Sequence, residues 1–360
     1  MSDSTYEAGS SAVSMRPPFV QRARRALSFR LVGALYVWAV LALIFAVWVP
    51  STFLTWATLW QLLNANAVTG LLALSLVIPL CARVFDLSVG GIASLSGVIT
   101  AYMLAHHVGV VGAVALGLGA GLLVGFLNAT VVVVMGVDSF IGTLATGSLI
   151  GAFITFVTND IPIVDPALSG PFARISLAGI GKVSLPVVYL IVVAAAIWFV
   201  LEHTAVGRRF YAAGFNEDAA RLAGIRVDRL RFISFLVSGS IAGVAGVVLA
   251  ATVSSGDPTA GNPYLLPAFA AAFLGATQLK AGRFNAWGTI IAVLLLGTLV
   301  IGLGLAGAPT WTPQLFTGSV LIAALAITAA ETRGARGVRR RLRRPAPESP
   351  PVPTAVDAGS

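Results

Sequence analysis

The chain has 360 residues, 57% of them hydrophobic and only 10% charged, and a formal net charge of +9. A water-soluble domain carries about 25% charged residues, so this composition excludes a soluble fold for most of the chain and makes lipid its solvent. The excess of Lys and Arg does not mark a nucleic-acid partner: the run Arg339, Arg340, Arg341, Arg343, Arg344 has no aromatic residues interleaved to stack bases, whereas arginines flanking long apolar runs hold a protein against an anionic leaflet.

Residues 1–30 are polar, rich in Ser and Arg, without helical periodicity, and read as a disordered basic cytoplasmic arm. The apolar run 31–49 is read as a retained span and not a cleaved leader, because it ends in Ala46-Val47-Trp48-Val49-Pro50 and not in small residues. A hydrocarbon layer of roughly 30 Å takes about 20 apolar residues to cross, and further candidate spans follow at 60–82, 87–105, 110–134, 139–157, 185–201, 232–253, 264–279, 286–306 and 313–330. The segment 264–279 is short enough to be tilted, broken or partly re-entrant. Strand alternation is absent, which leaves helices: the expected fold is an all-α, polytopic transmembrane bundle of about ten spans with both termini cytoplasmic. The domains are then the arm 1–30, a transmembrane domain 31–330 with a cytoplasmic loop at 202–231, and a disordered Arg- and Pro-rich tail 331–360.

Charge supports that arrangement. With both tails inside, the inner segments hold 5, 1, 6, 2 and 7 Lys or Arg residues, 21 in all, and the outer loops hold two, Arg174 and Lys182. A 21 to 2 split is what the positive-inside rule expects, and one span more or fewer would scramble it.

Two connections are long. The outer one, 158–184, carries Asn159-Asp160-Ile161-Pro162, Pro166, Gly170 and Pro171 and reads as an ordered, turn-rich surface. The inner one, 202–231, contains a short helix: Asn216 can cap it, Glu217 and Asp218 place negative charge on its first turn, Ala219 to Ala223 favour helix and Gly224 ends it. At about eight residues the helix is near 12 Å long, too short to span. With Arg221 and Arg226 exposed it suits docking to another protein.

Catalytic chemistry is missing. Gly179-Ile180-Gly181-Lys182-Val183 lacks the first glycine and the hydroxyl of a phosphate-binding loop. The three histidines, His106, His107 and His203, form no metal-binding helix face, and the single Cys81 excludes an intrachain disulfide or a cysteine metal site. No cofactor, metal or catalytic residue is expected. Few ionisable groups lie near the spans, and the clearest is Asp86 in Arg83-Val84-Phe85-Asp86-Leu87-Ser88-Val89-Gly90-Gly91. Asp86 reads as a cap accepting from the amide of Ser88 or Val89, or as a polar group at a broken helix on a solute path. Asn64, Asn66, Thr69, Asn128, Thr143, Thr146 and Thr155 are explained by hydrogen bonding between helices, and the glycine rows Gly117, Gly121, Gly125 and Gly239, Gly243 by close helix approach.

Four strings carry a resemblance: Asp86-Leu87-Ser88-Val89-Gly90; Gly125-Phe126-Leu127-Asn128 with Ser139-Phe140-Ile141-Gly142-Thr143-Leu144; His203-Thr204-x-x-Gly207-Arg208 leading to Gly214-Phe215-Asn216-Glu217-x-Ala219-Ala220-x-x-x-Gly224-Ile225; and Pro258-Thr259-Ala260-Gly261 with Ala270 to Thr277. In these the chain resembles the ribose-type permease family of bacterial ABC importers, over about residues 60–330. The third string is the most specific, agreeing at some ten positions in order and spacing.

The resemblance implies a multi-pass permease subunit of the bacterial inner membrane, not itself an enzyme, which carries a small polar solute such as a monosaccharide. Its implied partners are a separate ABC ATPase subunit, an extracytoplasmic solute-binding protein and a second permease copy or paralogue. It implies that Asn216 to Ile225 forms a coupling helix seated in a groove of the ATPase; Gly207, Arg208, Gly214, Asn216, Glu217, Ala220, Arg221, Gly224 and Ile225 are then read as ATPase-coupling residues, and Asp86, Ser88, Asn128 and Thr143 as residues of the translocation path or of the helix breaks that shape it. Ala129 and Phe215 stand where the family has glycine, and Leu265-Leu266-Pro267 replaces an acidic string, so the solute is left open. A permease for branched amino acids or nucleosides, or a secondary transporter, remains an alternative, and a membrane enzyme would need a convergent nucleophile, base or metal set that is not visible.

Overall fold

The computed structural model describes residues 29–279 and 282–326. The expected basic arm as far as residue 28, the tail beyond 326 and Lys280 lie outside the described residues. Within them the chain is an all-α membrane protein. Its α-helices of six residues or more are α1 Phe29–Trp48, α2 Trp56–Ala65, α3 Ala67–Cys81, α4 Val89–Ala105, α5 Val110–Ala129, α6 Ser139–Thr158, α7 Leu185–His203, α8 Ala205–Phe215, α9 Glu217–Leu222, α10 Val227–Val253, α11 Leu265–Ala276, α12 Ala286–Leu305 and α13 Thr312–Ala326.

Each of the ten expected spans overlaps a helix or a bent helix pair, the last of them only as far as residue 326, where the described residues end. Five helices are long and apolar enough to cross a membrane alone, or six when the bent pair α2–α3 counts as one. The shorter α4 and α13, and the 12-residue α11, fall below that length. Where the sequence suggested a single span at 60–82, the chain bends by 41°. Asn66 sits at the bend and turns its Nδ2 back to the Leu62 carbonyl, 2.8 Å away, so a side chain substitutes for backbone pairing and ends α2.

Strand pairing is confined, among the described residues, to a two-residue hairpin of Gly179–Ile180 with Val183–Ser184 and a bridge between Ile163 and Gly256. The hairpin turns through Gly181, at φ +67°, and accounts for the glycine-rich string there as a tight turn. The rest of 158–184 is held by Leu168 and Phe172, both fully buried, which agrees with the expected ordered connection.

Helices α3 and α10 form the centre. Fourteen of the fifteen α3 residues are buried, and α10 lies against α3, α4 and α5. The outer helices keep large apolar groups exposed, among them Leu123, Phe126, Ile141, Phe156, Val192 and Phe199. So broad an exposed apolar surface fits immersion in lipid or a partner and not water.

The α5–α10 contact rests on the predicted glycine rows. A Cβ added at Gly121 would stand 2.6 Å from the Gly239 carbonyl oxygen, and one at Gly125 2.5 Å from that of Phe235. Gly239→Leu would force these backbones apart and is expected to destabilise the bundle by about 3 kcal/mol. Thermal unfolding of the detergent-solubilised chain would show it, and an unchanged midpoint would contradict so tight a packing.

Candidate functional site

Two clusters hold the candidate site residues; of the other polar residues singled out, Asn64 accepts from Ser184, Asn66 and Thr146 donate to carbonyls of their own segments, and Thr155 donates to Asp160. The first fills the break between α3 and α4. Asp86 is fully buried; its Oδ1 accepts from the Ser88 amide at 3.2 Å, the Ser88 hydroxyl at 2.6 Å and Asn128 Nδ2 at 3.3 Å, and its Oδ2 accepts from the Ser238 hydroxyl at 2.7 Å. Asn128 also donates to Ser88 Oγ at 2.7 Å, and its own Oδ1 is buried without a partner. Thr143 accepts from the Leu87 amide at 3.0 Å, and Ser139 Oγ accepts from the Phe85 amide at 3.1 Å.

The amides of Phe85 and Leu87 are therefore held by side chains from α6 and that of Ser88 by Asp86, whose carboxylate is in turn held by Asn128 of α5 and Ser238 of α10. Asp86 does accept from the Ser88 amide, as a cap would, but α4 begins at Val89 and the carboxylate ties three helices together besides. Asp86, Ser88, Asn128 and Thr143 are thus gathered at one place. Ser139 and Ser238 belong to the cluster and were not foreseen; the only local signal for Ser238 is its position beside Gly239, where α5 comes close.

The second cluster is the 202–231 connection. It holds two helices, not one. Thr204 caps α8, its Oγ1 accepting from the Gly207 amide at 3.2 Å. Asn216 caps α9, its Oδ1 accepting from the Ala219 amide at 3.2 Å, with Glu217 and Asp218 in the first turn as expected. At the other end Gly224 takes φ +78°, its amide donates to the Arg221 carbonyl at 3.0 Å, and the Ile225 amide donates to the Ala220 carbonyl at 3.0 Å. This paired stop needs a left-handed residue, which glycine supplies without strain.

The charged residues of α9 are engaged within the chain. Glu217 forms a two-pronged pair with Arg231 at 3.0 and 2.6 Å and meets Arg221 at 3.0 Å, while Arg221 grips Asp228 at 2.9 and 2.6 Å. The network fixes α9 on the first turns of α10. The apolar groups at either end of α9 face outward, with Phe215 70% and Leu222 90% exposed.

This segment is also wired to the first cluster. A Cβ at Gly214 would collide with the Cys81 carbonyl at the end of α3. Tyr211 donates to the Phe284 carbonyl at 3.0 Å, Arg283 lies 5.3 Å over the Tyr211 ring, and Phe210 is buried. From Cys81 at the α3 end, against which Gly214 packs, it is five residues along the chain to Asp86.

The Arg231 guanidinium holds the Glu217 carboxyl below its ordinary value of 4.5; burial opposes this and Arg221 adds to it. A carboxyl depressed in the fold contributes stability at pH above its unfolded value, and that contribution is lost as pH falls through the folded value. Amide exchange across 218–225 is therefore expected to hold steady from neutral pH to about 5, and to accelerate beyond the intrinsic pH effect only as acid below 4.5 protonates Glu217. Protection unchanged well below that range would remove the brace.

Comparison with known proteins decides what such an assembly belongs to. A family model described as "Branched-chain amino acid transport system / permease component" matches residues 58–325. The chain belongs to this permease family. Within it, the chain is 32% identical over 296 residues to the ribose import permease of Escherichia coli (strain K12), covering 80% of this chain and 92% of that protein. The ribose import permease of Bacillus subtilis (strain 168) is 32% identical over 286 residues, 79% of this chain and 88% of the relative. The D-allose transport system permease of Escherichia coli (strain K12) is 31% identical over 296 residues, 82% and 90% respectively. Together they identify the chain as a sugar-type ABC importer permease, a transport subunit and not an enzyme. The exposed apolar helices are those of an integral membrane component.

Proposed function

We propose that this permease forms the translocation pathway of a bacterial inner-membrane importer for a monosaccharide, driven by ATP hydrolysis on a separate subunit. The reading rests above all on the likeness, over about four fifths of the chain, to permeases named for ribose and allose import. The 21 to 2 distribution of Lys and Arg supports ten spans with both termini in the cytoplasm. The 202–231 connection then faces the ATPase.

In this reading α9 is the coupling helix. Its caps and ion pairs hold it as a stiff unit presenting Phe215 and Leu222 to an ATPase groove; Ala220 is its buried side, Gly214 lets α8 close on the α3 end, and Gly207, the exposed Arg208 and Ile225 complete the coupling segment. Closure of two ATPase chains pushes α9; α8 passes the displacement to the α3 end and the Phe284 loop, and the 85–88 break lets α4 reorient against α5, α6 and α10. Two packings of the same helices, and no reactive group, give outward and inward access. Asp86, Ser88, Asn128 and Thr143 shape the break instead of reacting with the solute. An external solute-binding protein and a second permease copy or paralogue complete the importer.

Co-purification from native membranes is the test: an ATPase chain comes with the permease, and energised cells accumulate labelled ribose or allose. Leu265-Leu266-Pro267, where the family has an acidic string, together with the family's own description, supports a second reading with a branched amino acid as solute. Uptake of leucine but neither sugar would replace the first reading with the second.

A further inference from the structure

A groove of about 580 Å³ opens between α8, the 223–226 turn and the start of α10. Three arginines line it, Arg209, Arg226 and Arg229, together with Val206, Leu230 and Ile233, and no Asp or Glu does so. Among the described residues none of the three forms an ion pair; the nearby carboxylates Glu217 and Asp228 are taken by Arg231 and Arg221. Like charges converging on one cavity repel one another, and cations at the start of α10 also oppose its dipole. An anion held between them relieves both effects.

The floor of the groove says what kind of anion. On α10, Arg229 and Ile233 are one turn apart, roughly 6 Å along the axis, and the uncharged apolar run of that helix begins at Phe232, just past Arg231. The guanidinium groups therefore stand at headgroup level while the part-buried Ile233 reaches toward the acyl region and Leu230, packed in the core, closes the back of the groove. A free inorganic anion has no use for that apolar floor, and an acidic protein segment would have to leave water to reach it. A phosphodiester with an acyl chain attached satisfies both parts, since arginine pairs with phosphate through two parallel donors.

We propose that the groove binds the headgroup of an anionic phospholipid from the adjoining leaflet, next to α9. The site does not depend on which solute is carried, and it adjoins the coupling residues Gly224 and Ile225, which also line it. Bound lipid bridges α8 and α10, and so stiffens the seat of α9.

Native mass spectrometry of the full chain in a neutral detergent tests this, with phosphatidylglycerol, phosphatidylcholine and inorganic phosphate as probes. Phosphatidylglycerol is expected to remain bound at low micellar fractions, and R209Q/R226Q/R229Q to weaken it roughly a hundredfold for the three charges together, with R226Q and R229Q singly intermediate. The variants should keep the parent's unfolding midpoint in phosphatidylcholine; if the triple variant does not fold, the single variants decide. Equal retention of phosphatidylcholine, equally tight binding of inorganic phosphate, or unchanged phosphatidylglycerol binding by the variants would overturn the proposal. So would loss of a co-purifying ATPase from the variants with lipid binding intact, which would assign the groove to that partner.

Discussion

Asp86→Ala is expected to destabilise the folded permease by on the order of 3 kcal/mol, because it leaves several buried donors without an acceptor. Those donors are the Ser88 amide and hydroxyl, Asn128 Nδ2 and the Ser238 hydroxyl. The Ser88 hydroxyl can turn to the unpartnered Asn128 Oδ1 and the Ser238 hydroxyl to the carbonyl one turn back in α10, which limits the loss, but the Ser88 amide keeps no such alternative. Asp86→Asn keeps one acceptor and should fall between the two. A lowered unfolding midpoint and a smaller monodisperse fraction after solubilisation are the readouts. A midpoint equal to the parent's for the alanine variant would mean that the 85–88 break is held by something other than this carboxylate.

The second large effect concerns Glu217. Glu217→Arg places a third cation against Arg221 and Arg231, removing the two-pronged Arg231 pair and replacing attraction with repulsion. Each lost hydrogen bond to a charged group is worth about 1.5–3 kcal/mol before the screening at a site more than a third exposed, enough to let α9 leave α10. Solute uptake should drop roughly tenfold, the equivalent of about 1.4 kcal/mol, with normal amounts of permease in the membrane. Adding Arg231→Glu restores an oppositely charged pair across the same gap, while Arg221 keeps Asp228, so the double variant should regain much of the uptake. Failure of the double variant to recover would show that Glu217 acts on a partner and not through Arg231, and normal uptake by the single variant would remove both roles.

What could be read from the sequence, and what could not, follows the range of the forces involved. Apolar length located the long apolar helices, and the caps of α9 at Asn216 and Gly224 were legible because each uses only neighbours in the chain. Helix α8 was missed: its two arginines and two glycines hide an amphipathic pattern whose buried residues, Phe210 and Ala213, acquire a core only from elements far along the chain. The bend at Asn66 was missed for the same reason. Its side chain occupies space left by Gly297 on α12, over 230 residues away. Glu217 and Arg221 were picked out as docking charges from their place on α9, yet the pairing of Glu217 with Arg231 spans fourteen residues and depends on how α9 folds back on α10. Close approach was foreseen from the glycine rows, but the contribution of Ser238 to the Asp86 cluster required knowing which helix those rows would meet.

The claim on which the rest depends is that α9 lies on the cytoplasmic side. Asp218 is exposed on α9 and the native Cys81 is buried, so Asp218→Cys offers a single accessible thiol. With a membrane-impermeant maleimide the account predicts no labelling in intact cells and full labelling once the inner membrane is opened. Labelling of residue 218 in intact cells would put α9 outside, away from any ATPase, and contradict it.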